Sequence, residues 1–225
     1  MSKELEKENS AEKAFELIKH NLFDDTVLGI GTGSTSNFFI KILIRENPNI
    51  KGAVCSSKVS HKLLSNSSIN ILQLNEVHKI DFYIDGADEV NRRLELIKGG
   101  GGALTSEKIL ANSSNKFICI ADDSKLVDVL GKFPLPIEVI RDARSAIARE
   151  IIQMGAKPVF REGFLTDHGN QIIDIHNLKI KVPFEVEGLL NNIPGIVENG
   201  IFAKRKADML LLSSDEKVEI ITTSK

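Results

Sequence analysis

The 225-residue sequence contains no tryptophan, one tyrosine and only two cysteines. Without tryptophan and with a single tyrosine, the core is predicted to be filled mainly by isoleucine and leucine. Apolar residues make up 42% of the chain, which is ample for one large domain or for a domain that carries a smaller one. The two cysteines, Cys55 and Cys119, lie in apolar strand-like runs and are predicted to be small buried hydrophobes in a reducing compartment.

The sequence also lacks a long apolar run and a basic block. The most apolar run, 38–44, is interrupted by Lys41 and is far shorter than the roughly 20 residues that span a bilayer. The first nine residues are charged and do not form a secretory signal. Lysine and arginine number 29 against 31 acidic residues, for a net charge of -2, which argues against nucleic acid as a partner. We therefore expect a cytoplasmic protein that binds neither membranes nor nucleic acid.

Motifs for metal binding and for serine hydrolysis are missing as well. The five histidines are scattered, without H-x-H, H-E-x-x-H or Cys/His spacing. No G-x-S-x-G nucleophile turn occurs in a credible strand–turn–helix context. The sequence therefore predicts no metal centre and no serine-hydrolase mechanism.

Short apolar runs alternate with helical patterns in the first 130 residues. A first helix is predicted to begin at Ser10, which has the character of an N-cap. The alternation predicts an α/β fold with a Rossmann-like, mostly parallel sheet and helices on both faces, in which ligands bind at the carboxyl ends of the strands. The predicted strands of this part are 27–30, 52–57, 69–74, 82–85, 94–98 and 116–121, and helices are predicted at 58–64 and 104–111.

A stiff connector with two prolines, 131–136, marks a change in composition. The segment that follows predicts a small α+β (ferredoxin-like) domain with a helix capped by Asp142 and a second helix begun by Pro183. The predicted domains are 1–131 together with 206–225, and 132–205. The predicted strands of this part are 157–161, 171–175, those around 196–197 and 201–202, and two that rejoin the first sheet, 207–212 and 218–222.

A glycine-rich turn follows the first predicted strand. The glycines at 29, 31 and 33 suggest a dinucleotide-binding fingerprint, but Ser34 stands where the last glycine is required. The next strand also ends in Ser56-Ser57 rather than in an acidic residue. Backbone N–H groups at a helix start suit a phosphate monoester or a carboxylate. The alternative is a tight turn in which Ser34 is only an N-cap.

The densest group of functional residues lies between Phe82 and Lys108. Asp85 and Asp88 follow a strand, and alone they fit a solvated turn whose carboxylates cap N–H groups. Lys98 precedes four consecutive glycines. Such a run costs backbone entropy and is expected where the main chain approaches a ligand and offers N–H donors.

Glu107 lies in the first turns of the next predicted helix, where alone it fits an ordinary surface glutamate favoured by the helix dipole. Near a lysine and open N–H groups, however, a carboxylate forms a base beside an oxyanion site. That combination can abstract a proton next to a carbonyl. Lys125, after the next strand, is either on the same rim or simply exposed.

Four motifs occur in a fixed order: GTGST at 31–35, DGADE at 85–89, KGGGGALTSEK at 98–108 and GKFPLPIEVI at 131–140. Together they resemble the ribose-5-phosphate isomerase family, A type, from about residue 11 to the C-terminus. The usual glycine motif of that family is KGGGAALTREK, so Gly102 replaces an alanine and Ser106 an arginine. Neither position holds a presumed catalytic group. The residues before Ser10 look like an extension.

The resemblance implies reversible isomerisation of ribose 5-phosphate and ribulose 5-phosphate in the non-oxidative pentose phosphate pathway, without a metal or cofactor. Glu107 would move a proton between C2 and C1 through an enediolate, while Lys98 and the glycine amides stabilise the oxyanion. Asp85 would assist ring opening, and Asp88 would bond sugar hydroxyls. A homodimer is expected, with a tetramer as the other option. The expected substrate-binding residues are Thr32, Gly33, Ser34, Thr35, Asp85, Gly86, Ala87, Asp88, Lys98, Gly99, Gly100, Gly101 and Lys125.

Three other functions share part of this pattern. A non-catalytic sugar-phosphate-sensing domain would keep the phosphate loops but should carry an N-terminal helix-turn-helix, and the first 25 residues hold only one predicted helix. An acyl-CoA transferase would need a longer chain. A nicotinamide-dependent enzyme is disfavoured by Ser34 and Ser56-Ser57.

Overall fold

The structure, a computed structural model, describes residues 2–215 and 217–222. Contacts within the described chain divide it into two compact units. The first contains the residues up to Ala87, the segment Ile109–Lys125 and the residues from Ala207 onward. The second contains Asp88–Lys108 and Leu126–Lys206.

Helices and strands alternate along the chain largely as predicted, but the strands at 89–90 and 135–139 were not predicted from the apolar pattern, and the second of them begins inside the predicted connector 131–136. The helices are α1 (Lys3–Ile18), α2 (Ser34–Glu46), α3 (Lys58–Leu64), α4 (Leu104–Asn112), α5 (Arg144–Gln153) and α6 (Pro183–Asn191). The strands are β1 (Val27–Ile30), β2 (Gly52–Cys55), β3 (Ile80–Asp85), β4 (Glu89–Val90), β5 (Leu96–Ile97), β6 (Ser114–Asp122), β7 (Leu135–Val139), β8 (Lys157–Phe160), β9 (Gln171–His176), β10 (Ile196–Asn199), β11 (Ile201–Phe202), β12 (Met209–Ser214) and β13 (Lys217–Thr222).

The first unit is built on a six-stranded sheet in the order β13-β12-β6-β3-β1-β2. Every neighbouring pair is parallel except β12 with β13. Strands that are buried on both faces need continuous apolar runs, and β1 (VLGI) is buried at all four positions. The α/β fold with a mostly parallel sheet is therefore confirmed, as is the return of the last two strands to it.

The second unit contains a four-stranded antiparallel sheet in the order β10-β7-β9-β8. Its chain order, β7-α5-β8-β9-α6-β10, is the βαββαβ arrangement of ferredoxin-like domains. Aliphatic side chains form its core, including Ile137, Ile147 and Ile173. A three-stranded sheet, β11-β5-β4, belongs to the same unit.

The compact units differ from the predicted domain limits at two segments, 88–108 and 126–131, and at residue 206. The first segment groups with the second unit because β5 pairs with β11, with Ile97 opposite Ile201. The second segment does so because the buried Glu89 carboxylate accepts the N–H of Gly131 at 2.7 Å. These long-range pairs are not visible as a change in composition.

The predicted start of the first helix at Ser10 is wrong. Helix α1 begins at Lys3, and Ser2 is its N-cap, with a side chain that accepts the N–H of Leu5. Ser10 lies inside the helix, fully buried, and its hydroxyl donates to the Lys7 carbonyl at 2.9 Å. Glu6 and Ser10 therefore occupy the buried face, and these polar residues hid the helical period. The supposed N-terminal extension is the first half of α1.

The predicted strand at 69–74 is also wrong. Only Ile71 forms a bridge, to Ala53 of β2. The chain then turns into a 3-10 helix, Leu74–Glu76, because Gln73 and Glu76 form a reciprocal capping box.

Two smaller predictions also need correction. Asp142 lies in a 3-10 turn, and Ala143 is the N-cap of α5. The predicted strand at 94–98 shortens to β5, because Leu94 adopts a left-handed backbone with φ of 64°.

Among the described residues, no helix combines the length and apolar composition that crossing a membrane requires. Cys119 is fully buried in β6, in keeping with the prediction for it. Burial raises the pKa of the Cys55 thiol to about 12. This shift disfavours the thiolate, which is the nucleophilic form. Cys55 is only partly buried, so the predicted full burial holds for Cys119 alone.

Candidate active site

In the first unit, the predicted residues gather at the carboxyl ends of β1 and β3. These strands are neighbours, yet the chain leaves β1 toward β2 on one side and continues from β3 toward β6 on the other. Such a topological switch point opens a crevice beyond the strand ends, where ligands of α/β sheets bind. The loop 31–33 follows β1, and Asp85 ends β3.

The Asp85 carboxylate is fully buried and organises this crevice. Its Oδ1 accepts the N–H of Thr32 at 3.0 Å, the hydroxyl of Ser36 at 3.0 Å and the N–H of Gly86 at 2.7 Å. The Tyr83 hydroxyl donates to Oδ2. Buried charges require such donors. A Cβ on residue 31 would overlap the carboxylate, so this position admits only glycine.

Hydroxyl groups from α3 and from the turn that precedes it hold the same loop. The Thr32 hydroxyl lies 2.8 Å from both Ser56 Oγ and Ser57 Oγ. Ser60 donates to the Gly31 carbonyl at 2.5 Å. Ser56-Ser57, which spoke against a dinucleotide site, thus has a positive role in holding the loop after β1.

The start of α2 fits the predicted anion site. Its N-cap is Gly33, and no described side chain caps the helix, so the interpretation of Ser34 as an N-cap is wrong. Ser34 is instead the first helical residue and is exposed, while Thr35 is buried. Because the first N–H groups of a helix have no intrahelical acceptor, this end attracts an anion. Lys125, in the turn Asp123–Lys125 after β6, is partly exposed.

Replacing Tyr83 with phenylalanine is expected to lower the free energy of unfolding by about 2 kcal/mol, since it removes a hydrogen bond to a buried charge. The ring would keep its contact with Phe117, whose centroid lies 4.9 Å away. Urea unfolding followed by circular dichroism measures the change. A difference below about 0.5 kcal/mol, the level of an ordinary surface substitution, would show that this hydroxyl does not stabilise Asp85.

In the second unit, Lys98 and Glu107 form a buried pair. Lys98 Nζ lies 3.5 Å from Glu107 Oε2, and the two residues are 2% and 4% exposed. Lys98 directly follows β5, and its backbone N–H donates to the Gly200 carbonyl at 2.9 Å. Glu107 lies in the first turn of α4. A buried carboxylate beside a fixed ammonium can accept a proton while the ammonium stabilises negative charge on the same substrate.

The glycine run between them is shaped partly by its own neighbours. Gly99 and Gly102 have φ of 104° and 80°, and a Cβ at Gly102 would overlap the Phe164 ring. The N–H of Gly100 donates to Asp88 Oδ2 at 2.7 Å. Of the predicted oxyanion donors, the Gly100 amide is therefore occupied by Asp88 in this structure.

Buried polar contacts hold the start of α4 on two sides. Thr105 donates to the Glu138 carboxylate, which also accepts the Thr166 hydroxyl at 2.9 Å. Lys108 Nζ lies 3.1 Å from Glu187 Oε1 and 2.9 Å from Glu198 Oε1. Because Thr105 and Lys108 are held on either side of it in the helix, Glu107 has a fixed orientation.

One group of acidic side chains in the described residues has the spacing of metal ligands: Glu6, Asp122 and Asp123. Lys3 already occupies it, with Nζ 3.0 Å from Glu6 Oε2 and paired with Asp123. The ammonium supplies the positive charge that a cation would bring.

Several supporting residues carry no motif in the sequence and were not predicted. Tyr83 had a usable signal, since residues two apart on a strand face the same side and Asp85 was already a candidate. Arg161, which contacts the glycine run, had no local signal because about 60 residues separate the two.

Comparison with known proteins identifies a family. The family model described as ribose 5-phosphate isomerase A (phosphoriboisomerase A) matches residues 52–217. A ribose-5-phosphate isomerase A of Neisseria meningitidis is 51% identical over 212 residues, which cover 94% of this chain and 93% of the relative.

Solved structures agree. Ribose 5 phosphate isomerase A from Neisseria gonorrhoeae superposes with a TM-score of 0.95 at 48% identity, covering 100% of this chain and 99% of that one. A D-ribose-5-phosphate isomerase in complex with phospho-erythronic acid has a TM-score of 0.93 at 41% identity, covering 99% and 100%. The chain belongs to the ribose 5-phosphate isomerase A family.

Proposed function

We propose that this protein catalyses the reversible isomerisation of D-ribose 5-phosphate and D-ribulose 5-phosphate, with Glu107 as the general base. Members of the family are aldose–ketose isomerases of the pentose phosphate pathway, and the chain is an isomerase of this kind. The observation that carries the residue assignment is the buried Lys98–Glu107 pair beside the glycine run.

The proposed reaction moves one proton between adjacent carbons. Glu107 takes the proton from C2 of the open-chain aldose, the C2–H electron pair forms the C1–C2 double bond, and the carbonyl electrons move onto O1. The protonated Glu107 returns the proton to C1, while a proton passes from O2 to O1, which leaves the ketose carbonyl at C2. Lys98 and the amides of Gly99 and Gly101 stabilise the enediolate oxygens, where one fixed donor is typically worth about 3 kcal/mol.

Asp85 and Asp88 are proposed to act on the sugar oxygens. The donors around Asp85 hold its carboxylate in one orientation, which suits opening of the furanose ring and proton transfer between oxygens. Asp88 exchanges its bond with Gly100 for bonds to sugar hydroxyls. This exchange would free the Gly100 N–H as a further oxyanion donor.

The phosphate group is proposed to bind at the start of α2, at Ser34 and Thr35, with Thr32, Gly33, Gly86, Ala87 and Lys125 completing the substrate site. The uncapped helix start supports this assignment. Phospho-erythronic acid, the ligand of one related structure, carries a phosphate and a carboxylate, as expected for a site that holds a sugar phosphate.

An enediolate mechanism requires neither a metal nor an organic cofactor, and their absence from the reaction stays a prediction. The homodimer, the tetramer and the cytoplasmic location also stay predictions. The non-catalytic sugar-phosphate-sensing domain is not favoured, because the chain keeps Lys98 and Glu107 as a buried pair and its relatives are isomerases.

An assay of the purified protein with ribose 5-phosphate in the presence of EDTA tests the proposal. We expect ribulose 5-phosphate to form without any added cofactor. A folded protein that binds ribose 5-phosphate without converting it would instead support the sensing domain.

A further inference from the structure

Arg161, directly after β8, is held from two sides. Its Nε donates to Asp174 Oδ2 at 2.9 Å and its Nη2 to Asp174 Oδ1 at 2.5 Å, a bidentate pair. Its guanidinium carbon lies 5.3 Å from the centroid of the Phe164 ring. A planar guanidinium fixed in this way has a defined direction for its remaining N–H groups.

The remaining nitrogen reaches the glycine run. Nη1 of Arg161 donates to the Gly100 carbonyl at 3.1 Å and makes a longer contact of 3.5 Å with the Gly99 carbonyl. The Phe164 ring fills the space that a side chain at Gly102 would need. The glycine at position 102 therefore leaves room for the Phe164 ring.

A planar trans peptide couples the Gly100 carbonyl to the next amide. The C=O of Gly100 and the N–H of Gly101 point in opposite directions within one rigid unit. Fixing the carbonyl on Arg161 therefore aims the Gly101 N–H away from Arg161. In the described chain this N–H has no acceptor, and Gly101 is exposed.

We propose that Arg161 is a positioning residue that aims the Gly101 N–H at the enediolate oxygen by holding the Gly100 carbonyl. The inference rests on the proposed oxyanion role of the glycine amides. Because the enediolate carries more negative charge than the bound sugar, a misdirected donor lowers kcat more than it raises KM.

The test compares R161A and R161K with the wild type and with R144A. Arg144 is the matched control, since its guanidinium carbon lies 4.3 Å from the Phe160 ring in the same unit, whereas the carbonyls of Gly99 and Gly100 are contacted by Arg161. For each protein, kcat and KM for ribose 5-phosphate and the thermal midpoint are measured. R161A is also assayed with added guanidinium ion.

We expect R161A to lose about 100-fold in kcat, the scale of an approximately 1 Å misplacement, with KM changed less than about twofold. Guanidinium ion should restore part of the lost kcat of R161A and should not raise the kcat of the wild type. R161K should also lose kcat, because an ammonium cannot span Asp174 and the Gly100 carbonyl in one plane. R144A should keep the wild-type kcat.

Several results would overturn the inference. These are a wild-type kcat in folded R161A or R161K, an equal loss in R144A, or a rise in KM as large as the fall in kcat. If R161A does not fold, R161K decides the question by the same criteria. An inactive wild type would instead contradict the proposed function, so the two failures are distinguishable.

Discussion

Replacing Glu107 with glutamine is expected to lower kcat for ribose 5-phosphate by about 10³-fold, within the range that a positioned base contributes. Glutamine keeps the shape of the side chain and an oxygen acceptor, but its amide does not accept a proton from carbon. Substrate binding should change little. Lys98 stays in place, and the proposed phosphate contacts at the start of α2 do not involve Glu107.

Steady-state kinetics and a binding titration with phospho-erythronic acid measure these two effects separately. The control is E150Q, which makes the same chemical change at an exposed position of helix α5 and should retain full activity. If E107Q isomerised ribose 5-phosphate at near the wild-type rate, Glu107 would not be the base and the proposed mechanism would be wrong.

Replacing Lys108 with methionine is expected to lower the free energy of unfolding by about 3–5 kcal/mol, the usual cost of removing one partner from a buried ion pair. Lys108 is 5% exposed and Glu187 is 2% exposed, so the glutamate would remain buried without its counter-charge. The Asn199 carbonyl would also lose the bond that it accepts from Lys108 at 2.7 Å.

Urea unfolding measures this effect, with K62M as the control. Lys62 is an exposed helical lysine of α3, and its replacement should change stability by less than about 0.5 kcal/mol. The double variant K108M/E187Q should recover part of the loss, because it removes the more deeply buried carboxylate together with Lys108 and leaves only the more exposed Glu198. Equal stability of K108M and K62M would mean that the buried pair does not stabilise the fold.

These two predictions assign different roles to two neighbouring residues of one motif, Glu107 and Lys108. Glu107 faces Lys98, and Lys108 faces Glu187 and Glu198. The first should be required mainly for turnover and the second mainly for stability. Nothing in the letters TSEK distinguishes these roles, because the direction of each side chain depends on how α4 packs.

Most of the fold could be predicted from the sequence. The apolar runs of β1, β2, β3 and β6 and the helical patterns between them were sufficient to predict a mostly parallel sheet, since local periodicity reports burial directly. The apolar pattern gave a wrong prediction where polar residues are buried, as at Glu6 and Ser10 in α1. It also predicted a strand at 69–74, where an apolar segment forms only one bridge to the sheet, at Ile71.

The candidate site was predictable to the extent that it consists of short motifs. Asp85, Lys98 and Glu107 stand out by residue type, spacing and family resemblance, and all three are buried. Their supporting residues do not. Ser60 and Arg161 became visible only with the structure, because each contacts the site through a hydrogen bond to a backbone carbonyl rather than through a motif. Tyr83, which bonds the Asp85 carboxylate, could have been inferred from the strand period.

The sequence by itself therefore determined most of the helices and strands, the two kinds of sheet and the chemical groups available for an isomerase. These depend on periodicity and residue type, which are local properties. The tertiary structure alone decided that segment 88–108 groups with the second unit and that Lys108 forms a buried ion pair with Glu187. It also decided that Arg161 reaches the Gly100 carbonyl. Such contacts join residues tens of positions apart, and their partners are selected by packing and hydrogen bonding in three dimensions.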